Sequence, residues 1–341
     1  MIDLLVAGGG PAGLATALYA ARAGLEAVVV EQRTGPIDKA CGEGLMPHSL
    51  ARLRQLGIDP DGYDFHGIRY LDGRYTAAAR FANGAGRGVR RTVLHTALAE
   101  AATAAGVRIV QSEVGELTQG PDSVCAAGFR ARYLAAADGL HSPIRRALGL
   151  SAGESGRRRW GIRRHIAVAP WSDCVEVYWG RGPEAGEAYV TPVSDDCVGV
   201  AILKSTRGGF DAHLDRFPAL MERLDGLPHG PDRAAGPLRQ RVRGRTAGRV
   251  LLVGDAAGYV DALTGEGMGL AFGAAELLVD CVVGDRAGEY DRRWRHLTRR
   301  YRMLTAALLY GTGIRPVRAA ITPASAALPS VFAAAVNALG D

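Results

Sequence analysis

The stretch KACGEGLMPHS, Lys39 to Ser49, gathers a thiol, a carboxylate and an imidazole into one short run. Cys41 could donate a proton to a carbon atom that receives hydride, or it could pack as a small polarizable wall. Glu43 could act as a general acid or base, or it could pair with Lys39. His48 could titrate near neutral pH, cap a helix or lie on the surface. Cys41 and Glu43 are therefore the candidate catalytic residues.

Glycines surround this candidate pair. Gly42 and Gly44 flank Glu43 and weaken any helix or strand, so we predict a loop here. Glycines at this spacing let the backbone pass close to a flat ligand. We therefore expect Cys41 and Gly42 to lie against such a ligand.

A dinucleotide fingerprint precedes the loop. Gly8, Gly10 and Gly13 form GxGxxG directly after an apolar strand, Ile2 to Ala7, and before an Ala/Leu-rich helix. Glu31 ends the next predicted strand, where an acidic side chain can hold a ribose diol. The glycines allow close backbone approach, and the helix N-terminus offers free amides to a pyrophosphate. FAD and NAD share this fingerprint.

A second glycine-rich turn, LTGEGMG, enters another Ala/Leu-rich helix. Gly265, Glu266 and Gly267 can present backbone amides at the positive end of that helix. Such donors would stabilise negative charge on a reduced flavin, whereas the alternative is an ordinary helix cap.

The elements that must position these residues fall into two patterns. The first pattern is βαβ with buried strands, and it predicts a nucleotide-binding sheet from Ile2 to Ala7, Ala27 to Val30, Val107 to Val110 and Arg132 to Gly139, with helices ending at Ala23 and running from Thr92 to Ala105. The second pattern is a run of β segments between Trp160 and Leu203, which predicts an antiparallel sheet. A helix over Phe210 to Leu227 and Ala/Leu-rich helices after Gly269 complete the chain.

Two further stretches, AADGLHSPIRRALG and GRVLLVGDAAGYVDALTGEGMGLAF, resemble the second and third FAD motifs of the superfamily that includes p-hydroxybenzoate hydroxylase. Together with KACGEG, the sequences of these motifs are most similar to those of the geranylgeranyl reductase family. The resemblance spans roughly Met1 to Leu278. It implies FAD as the cofactor, and in that family a CGG element lies beside the isoalloxazine, with Glu43 standing here in place of the second glycine.

The resemblance implies roles for five residues outside the first fingerprint. Asp255 would hydrogen-bond the ribityl chain, whereas Asp138 and Gly139 would shape the turn near the pyrophosphate and the approach of NADPH. Arg91 matches an arginine that reaches the FAD phosphates, and the backbone of Val114 matches a position that faces adenine. The full set of candidate cofactor-binding residues is Gly8, Gly10, Pro11, Ala12, Gly13, Glu31, Gln32, Arg33, Cys41, Gly42, Arg91, Val114, Asp138, Gly139, Gly254, Asp255, Gly265, Glu266, Gly267 and Met268.

The predicted fold class is α/β, with a Rossmann-like FAD-binding lobe, an antiparallel β-sheet substrate lobe and C-terminal helices. We expect a discontinuous FAD-binding lobe at 1–75, 84–155 and 245–285. The substrate lobe would comprise 156–244 with part of 60–83, and the helical segment would comprise 286–341.

We expect an FAD-dependent enzyme that uses NADPH or NADH to reduce a C=C bond of a prenyl-like or other lipophilic substrate. Two alternatives stay open, namely a class A monooxygenase acting on a phenolic, polyketide or terpenoid compound, and a flavoprotein redox sensor without catalysis. In the hydroxylase relatives a proline-rich segment usually precedes the glycines of the third motif. This sequence has Asp261, Ala262 and Leu263 at that place, which favours reduction. Product analysis with and without oxygen separates the two enzyme classes.

Composition limits the class of protein, its cellular compartment and its partners. The chain has 341 residues, a net charge of +6 and 48% hydrophobic residues, which is typical of a globular protein with a large core. Five cysteines without a CxxC pair favour a reducing compartment over a disulfide framework. We expect neither a signal peptide nor a membrane span, and hence a cytoplasmic protein. We expect no metal site and no nucleic-acid partner, and peripheral contact of the Ala-rich tail with a membrane stays open, as does the oligomeric state.

Overall fold

The structure is a computed structural model that describes residues 1–153, 158–180 and 186–339. The predicted lobe boundary at 155/156 lies outside the described residues, as do the last two residues of the predicted helical segment. In chain order the described strands are β1 (Ile2–Ala7), β2 (Ala27–Glu31), β3 (Gly44–Leu45), β4 (Tyr63–Phe65), β5 (Gly67–Leu71), β6 (Thr76–Arg80), β7 (Gly86–Gly88), β8 (Arg108–Gln111), β9 (Thr118–Gln119), β10 (Val124–Ala126), β11 (Phe129–Ala136), β12 (Trp160–Ala167), β13 (Val175–Trp179), β14 (Glu187–Ser194), β15 (Cys197–Lys204), β16 (Arg233–Ala235), β17 (Thr246–Ala247) and β18 (Val250–Leu252).

Helices alternate with these strands in the first half of the chain and dominate its end. They are α1 (Pro11–Arg22), α2 (Pro47–Gln55), α3 (Arg91–Ala104), α4 (Pro143–Ala147), α5 (Asp211–Leu214), α6 (Pro218–Leu224), α7 (Gly267–Val283), α8 (Tyr290–Gly313), α9 (Arg315–Ala327) and α10 (Pro329–Leu339). Short 3-10 turns lie at Gly254–Ala257 and Ala287–Glu289.

The first large sheet has the order β17-β18-β11-β1-β2-β8, with β10 and β9 added antiparallel at β11. β1 runs parallel to both β2 and β11. The sequences IDLLVA and AVVVE are buried almost throughout, as expected for parallel strands covered on both faces. α1 packs between this sheet, α3 and α7. The carboxyl ends of β1 and β2 therefore place the glycine fingerprint beside Glu31.

The second large sheet has the order β16-β12-β15-β14-β13-β5-β6. Its strands pair antiparallel except for β13 and β5, which are parallel with Val175 opposite Ile68. This one pair departs from the predicted antiparallel sheet, because β5 and β6 come from the earlier part of the chain and extend the sheet from its far side. The predicted α/β architecture with two lobes and C-terminal helices is confirmed.

A third, small sheet joins β3, β7 and β4. The sequence predicted a loop at Gly44 and no strand at Gly86 to Gly88, so this sheet is a correction. Gly88 explains it, since a Cβ there would lie 1.7 Å from the carbonyl oxygen of Pro192. The absence of a side chain lets β7 pass directly against the second large sheet.

The helix predicted over Phe210 to Leu227 is wrong in one respect, because the structure has two short helices, α5 and α6, in its place. Phe217 separates them with φ −128° and ψ 69°. The residue that precedes a proline is disfavoured in the helical region, and Pro218 then starts α6 at its first position.

The C-terminal helices pack on the second large sheet. Phe332 and Val336 of α10 bury their side chains against Ala77 and Ala79 of β6. Among the described residues, no helix by itself has the length and apolar character needed to cross a membrane. The pair Arg315–Ala327 and Pro329–Ala338 meets that test only jointly, and it is bent by 108°.

Tyr290 at the start of α8 provides a test of how this helix is attached. Its side chain is fully buried, and its hydroxyl donates a 2.9 Å hydrogen bond to the carbonyl oxygen of Leu252. We expect Tyr290→Phe to lower the free energy of unfolding by about 1–2 kcal/mol, because the carbonyl loses its buried partner. Tyr310→Phe is the matched control, since Tyr310 is 76% exposed. Equal denaturant midpoints for the two variants would contradict the expectation.

Candidate functional site

The glycine fingerprint is packed too closely for side chains at two of its positions. Gly8 has φ +112°, and a Cβ there would lie 2.5 Å from the carbonyl oxygen of Ala137. A Cβ on Gly13 would lie 1.9 Å from the carbonyl oxygen of Gly8. Gly10 forms the N-cap of α1 and Pro11 takes the first helical position. The loop therefore presents the N-terminus of α1 to a cofactor, as the sequence predicts.

Glu31 is already held by the fingerprint. Its Oε2 accepts a 2.8 Å hydrogen bond from the amide of Gly9, and its Oε1 accepts bonds from the amide and the Nε of Arg33 at 3.0 and 2.8 Å. Burial acts to raise the pKa of Glu31, but the hydrogen bonds from Arg33 and Gly9 outweigh it and keep the pKa low. Glu31 is thus a fixed carboxylate at the position predicted for a ribose partner.

Arg91 supplies positive charge to the same loop. A Cβ on Gly10 would lie 3.9 Å from a terminal nitrogen of Arg91, and another terminal nitrogen lies 3.9 Å from Sδ of Met268. The side chain is buried, and its Nε has no hydrogen-bond partner within the described protein. Burial lowers the pKa of Arg91. A buried guanidinium with an unused donor fits an anionic group in front of Gly10.

Asp255 faces the same space from the third motif. Solvent can reach the side chain of Asp255, but protein atoms surround it on most sides. This partial removal from water raises the pKa of the carboxyl group. Arg91 and Lys39 oppose the shift with positive charge. Gly254 directly before it has φ +62°, and a Cβ there would lie 2.6 Å from Cβ of Ala12. The first and third motifs therefore lie in contact.

The second motif forms a turn at the end of β11. Oδ2 of Asp138 accepts a 3.0 Å hydrogen bond from the amide of Ile144, whereas its Oδ1 is buried without a protein partner. Burial raises the pKa of Asp138. Gly139 has φ +86°, and a Cβ there would lie 3.5 Å from Nζ of Lys39. This turn thus lies beside the KACGEG loop.

The LTGEGMG turn opens α7 as predicted, with Gly265 at φ +70°, Glu266 at the N-cap and Gly267 as the first helical residue. The side chain of Glu266 points to α2, where its Oε2 lies 2.7 Å from Nε2 of His48. Burial raises the pKa of Glu266. The sequence did not predict this pair, which joins the KACGEGLMPHS stretch to the third motif.

Glu43 lies beneath the loop rather than in the open space. It is 4% exposed and has φ +59°. Its Oε1 accepts a 2.8 Å hydrogen bond from the amide of Arg91, and its Oε2 accepts a 2.6 Å bond from Nε2 of His165. Nδ1 of His165 accepts in turn from Arg163 at 3.0 Å. Glu43 therefore links the loop to β12, where His165 is its hydrogen-bond partner and Arg163, at 3.8 Å, rather than Lys39, is its charged partner.

The thiol of Cys41 stands at the edge of this network. The amide of Glu43 donates to its Sγ at 3.4 Å, and Thr191 of β14 fixes the neighbouring carbonyl of Gly42 with a 2.8 Å bond. Burial raises the pKa of Cys41, and the negative charge of Glu43 adds to that shift while Arg91 opposes it. Near neutral pH the thiol is protonated and can donate a proton.

The remaining predicted residues follow the ends of β2 and β8 in the first large sheet. Gln32 and Arg33 are exposed directly after β2, and Arg33 pairs with Glu31. Val114 follows β8, whose last residue Gln111 is paired with Glu31. The carbonyl of Val114 accepts from the amide of Ala127 at 3.0 Å. Their contact with a cofactor stays a prediction.

Sequence reasoning missed the residues that reach the loop from the second sheet. These are Arg163, His165 and Thr191, which the chain supplies from β12 and β14. The segment GIRRHIAVA indicated a strand, but the sequence gave no partner for the side chains of Arg163 and His165. The one signal in the sequence was the presence of Arg and His within a predicted strand, since such side chains need polar partners when they are buried.

The described residues fit FAD. The cradle has glycines where the backbone turns, a helix N-terminus, a buried arginine with an unused donor, and an enclosed carboxylate opposite it. Gly10 and Arg91 would hold the pyrophosphate, Glu31 the ribose, and Asp255 the ribityl chain. We call the space that these residues face the cofactor groove, and Cys41 and Gly42 lie next to it on the loop that Glu43 fixes to Arg91.

A separate cavity of about 430 Å³ adjoins this groove through Gly254, Asp255 and Gly267. Its other walls come from the segment before β17 and from α8, and its cationic residues are Arg239, Arg241, Arg245 and Arg302. Arg245 is buried, pairs with Asp291 at 2.8 Å and stacks on Trp294 with 3.7 Å from Cζ to the ring centre. The arginines outnumber the acidic side chains on this wall, so the cavity favours an anionic ligand.

Comparison with known proteins places the chain among flavoproteins. The family model described as FAD binding domain matches residues 1–281. A menaquinone reductase of Mycobacterium tuberculosis is 30% identical over 327 residues, covering 81% of this chain and 76% of that protein. Digeranylgeranylglycerophospholipid reductase 1 of Methanothermobacter thermautotrophicus is 27% identical over 336 residues, covering 86% and 82%.

A solved structure is similar over most of the fold. The geranylgeranyl bacteriochlorophyll reductase-like protein of Thermoplasma acidophilum superposes with a TM-score of 0.79 at 23% identity, covering 92% of this chain and 88% of that chain. The predicted resemblance to the geranylgeranyl reductase family is confirmed by these relatives.

Proposed function

Since the chain belongs to the FAD-binding domain family and is an FAD-dependent oxidoreductase, we propose that it uses NAD(P)H to reduce a C=C bond of a prenyl-like or related lipophilic substrate. The observation that carries the proposal is the placement of the Cys41 thiol on the loop beside Arg91, where Thr191 and the amide of Glu43 fix it and burial raises its pKa. Two similar proteins are named as reductases of menaquinone and of digeranylgeranylglycerophospholipid, both lipophilic compounds.

Bound FAD supplies hydride transfer from the nicotinamide to the substrate. The thiol of Cys41 supplies the proton that the second carbon of the C=C bond requires, and the resulting thiolate takes a proton back from water. One molecule of NAD(P)H and one proton thus yield NAD(P)⁺ and the saturated bond. Glu43 positions the thiol by fixing the loop to Arg91 and His165.

An apolar wall adjoins the third motif. Leu263, two residues before Gly265, packs in one cluster with Val177 and Trp179 of β13, and Leu308 of α8 joins that cluster. Apolar side chains at this place favour a hydrocarbon substrate over a polar one.

The arginine-lined cavity supports NAD(P)H as the electron donor, because a nicotinamide dinucleotide carries phosphates and the cavity shares Asp255 and Gly267 with the cofactor groove. We expect Arg302→Ala to raise KM for NAD(P)H about tenfold and to leave FAD content unchanged. Arg292→Ala on the same helix is the control, since Arg292 lies outside the cavity lining. Unchanged KM for the Arg302 variant in steady-state kinetics would exclude this cavity as the donor site.

The pH dependence of kcat tests whether the thiol of Cys41 is the proton donor. Because burial raises the pKa of Cys41, the proton donor stays protonated below that raised value and is lost as the pH rises through it. We expect the alkaline limb of kcat to lie above the pKa of an ordinary thiol and to change in Cys41→Ser. A limb at or below the ordinary thiol value, shared by both proteins, would contradict the role of Cys41.

Product analysis by mass spectrometry tests the reaction itself. FAD-loaded protein is incubated with NADPH and either menaquinone or digeranylgeranylglycerophospholipid, with and without oxygen. Reduction adds two hydrogens to the substrate and proceeds without oxygen. A product that gains oxygen, formed only in air, would instead indicate a monooxygenase, and absence of NADPH-dependent flavin bleaching with every substrate would favour a redox sensor.

A further inference from the structure

The outer face of the C-terminal helices exposes an unusual number of large apolar side chains. They are Met303, Leu304, Tyr310, Ile314, Val317, Leu328 and Val331, with exposed fractions from 38% to 76%. The other exposed large apolar residues of the described chain are scattered from Met1 to Val283. A concentration of this kind indicates a contact surface rather than chance exposure.

On α8 these residues follow one helical stripe. Thr298, Thr305 and Thr312 are buried at seven-residue spacing and mark the inner face. Met303 and Tyr310 repeat at the same spacing on the outer face, with exposed alanines between them. Val317 of α9 continues the stripe, because a Cβ on Gly311 would lie 3.4 Å from its Cγ1.

Charge distinguishes this face from an ordinary protein contact. Between Asp291 and Asp341 the chain has eight arginines and no aspartate or glutamate. Arg299 and Arg300 are exposed one turn before Met303 and Leu304, on the same stripe. Exposed arginines beside an apolar helical stripe, on a segment without acidic residues, fit a helix that lies at the interface of an anionic membrane.

We propose that the C-terminal face, defined as Arg299, Arg300, Met303, Leu304, Tyr310, Ile314 and Val317, docks the enzyme on an anionic lipid surface. The arginines bind the headgroups, and the apolar side chains enter the boundary with the acyl chains. The inner sides of α8 to α10 stay packed on the second large sheet, so docking needs no rearrangement of the fold. The docking proposal does not depend on which reaction the enzyme catalyses at the flavin.

Co-sedimentation with vesicles tests the proposal on full-length, FAD-loaded protein. The wild-type protein should sediment with vesicles of phosphatidylglycerol and phosphatidylcholine in about equal parts, and much less with phosphatidylcholine alone. Arg299→Gln with Arg300→Gln should lower the partition coefficient by about 30-fold. Met303→Ser with Tyr310→Ser should lower it by at least about tenfold.

Two control pairs carry the same substitutions at exposed sites elsewhere. They are Arg22→Gln with Arg108→Gln and Met221→Ser with Tyr75→Ser, and both should sediment like the wild type. Retained FAD absorbance shows that each variant is folded. Equal loss in the controls, equal binding to neutral vesicles, or no sedimentation would overturn the proposal. So would a wild-type dimer that binds no vesicles and dissociates in the apolar variant, since copies of the chain would then cover the face.

Discussion

Replacement of Cys41 by alanine is expected to leave FAD bound and to slow turnover by about 10²- to 10⁴-fold, the usual contribution of a positioned general acid. The side chain is small and only half buried, so its removal opens little space. Its Sγ accepts a weak bond from the amide of Glu43, and that loop stays fixed by the bonds of Glu43 to Arg91 and His165. A loss of rate without a loss of cofactor would thus be chemical.

Two further variants sharpen the Cys41 result. Cys41→Ser keeps the size and a donor but is a much weaker acid, so its rate should lie between those of alanine and wild type. Cys125→Ala removes an exposed thiol at the edge of the first sheet and should have no effect. Steady-state rates of Cys41→Ala equal to wild type would reduce the thiol to a packing role, while the FAD proposal would stand.

The cofactor groove was largely predictable from the sequence because its geometry is local. GxGxxG begins directly after β1 and runs into α1, and Glu31 follows at the end of β2, so parallel pairing alone brings them together. The placement of Arg91 beside Gly10 needed the family resemblance, since no local pattern relates a residue before α3 to the first strand.

The network around Glu43 was not predictable in the same way. Its partners are His165 and Arg163, which lie more than a hundred residues later on another sheet. No periodicity encodes which strand of the second sheet packs beneath a glycine loop of the first lobe. The small sheet of β3, β7 and β4 was missed for the same reason, because Gly88 acts through its contact with Pro192 and not through local propensity.

Replacement of Gly10 by alanine should weaken FAD binding by about a hundredfold or more, the value of one or two charge-assisted hydrogen bonds. Gly10 has φ −72° and ψ 175°, which alanine adopts freely, and the nearest protein atom to a new Cβ is the Arg91 nitrogen at 3.9 Å. The protein should therefore fold normally. The methyl group would occupy the space between the α1 N-terminus and Arg91, where the pyrophosphate is proposed to bind.

Gly10→Ala separates binding from folding better than the other fingerprint glycines do. Alanine at Gly13 would place its Cβ 1.9 Å from the carbonyl of Gly8, so loss of FAD there could follow from a distorted loop. Gly288→Ala is the control, because its Cβ would meet nothing within 4 Å. Titration of the apoprotein with FAD, followed by flavin fluorescence, gives the affinity. A Gly10→Ala affinity equal to that of the control would place the pyrophosphate elsewhere, because a methyl group in a close backbone contact cannot be neutral.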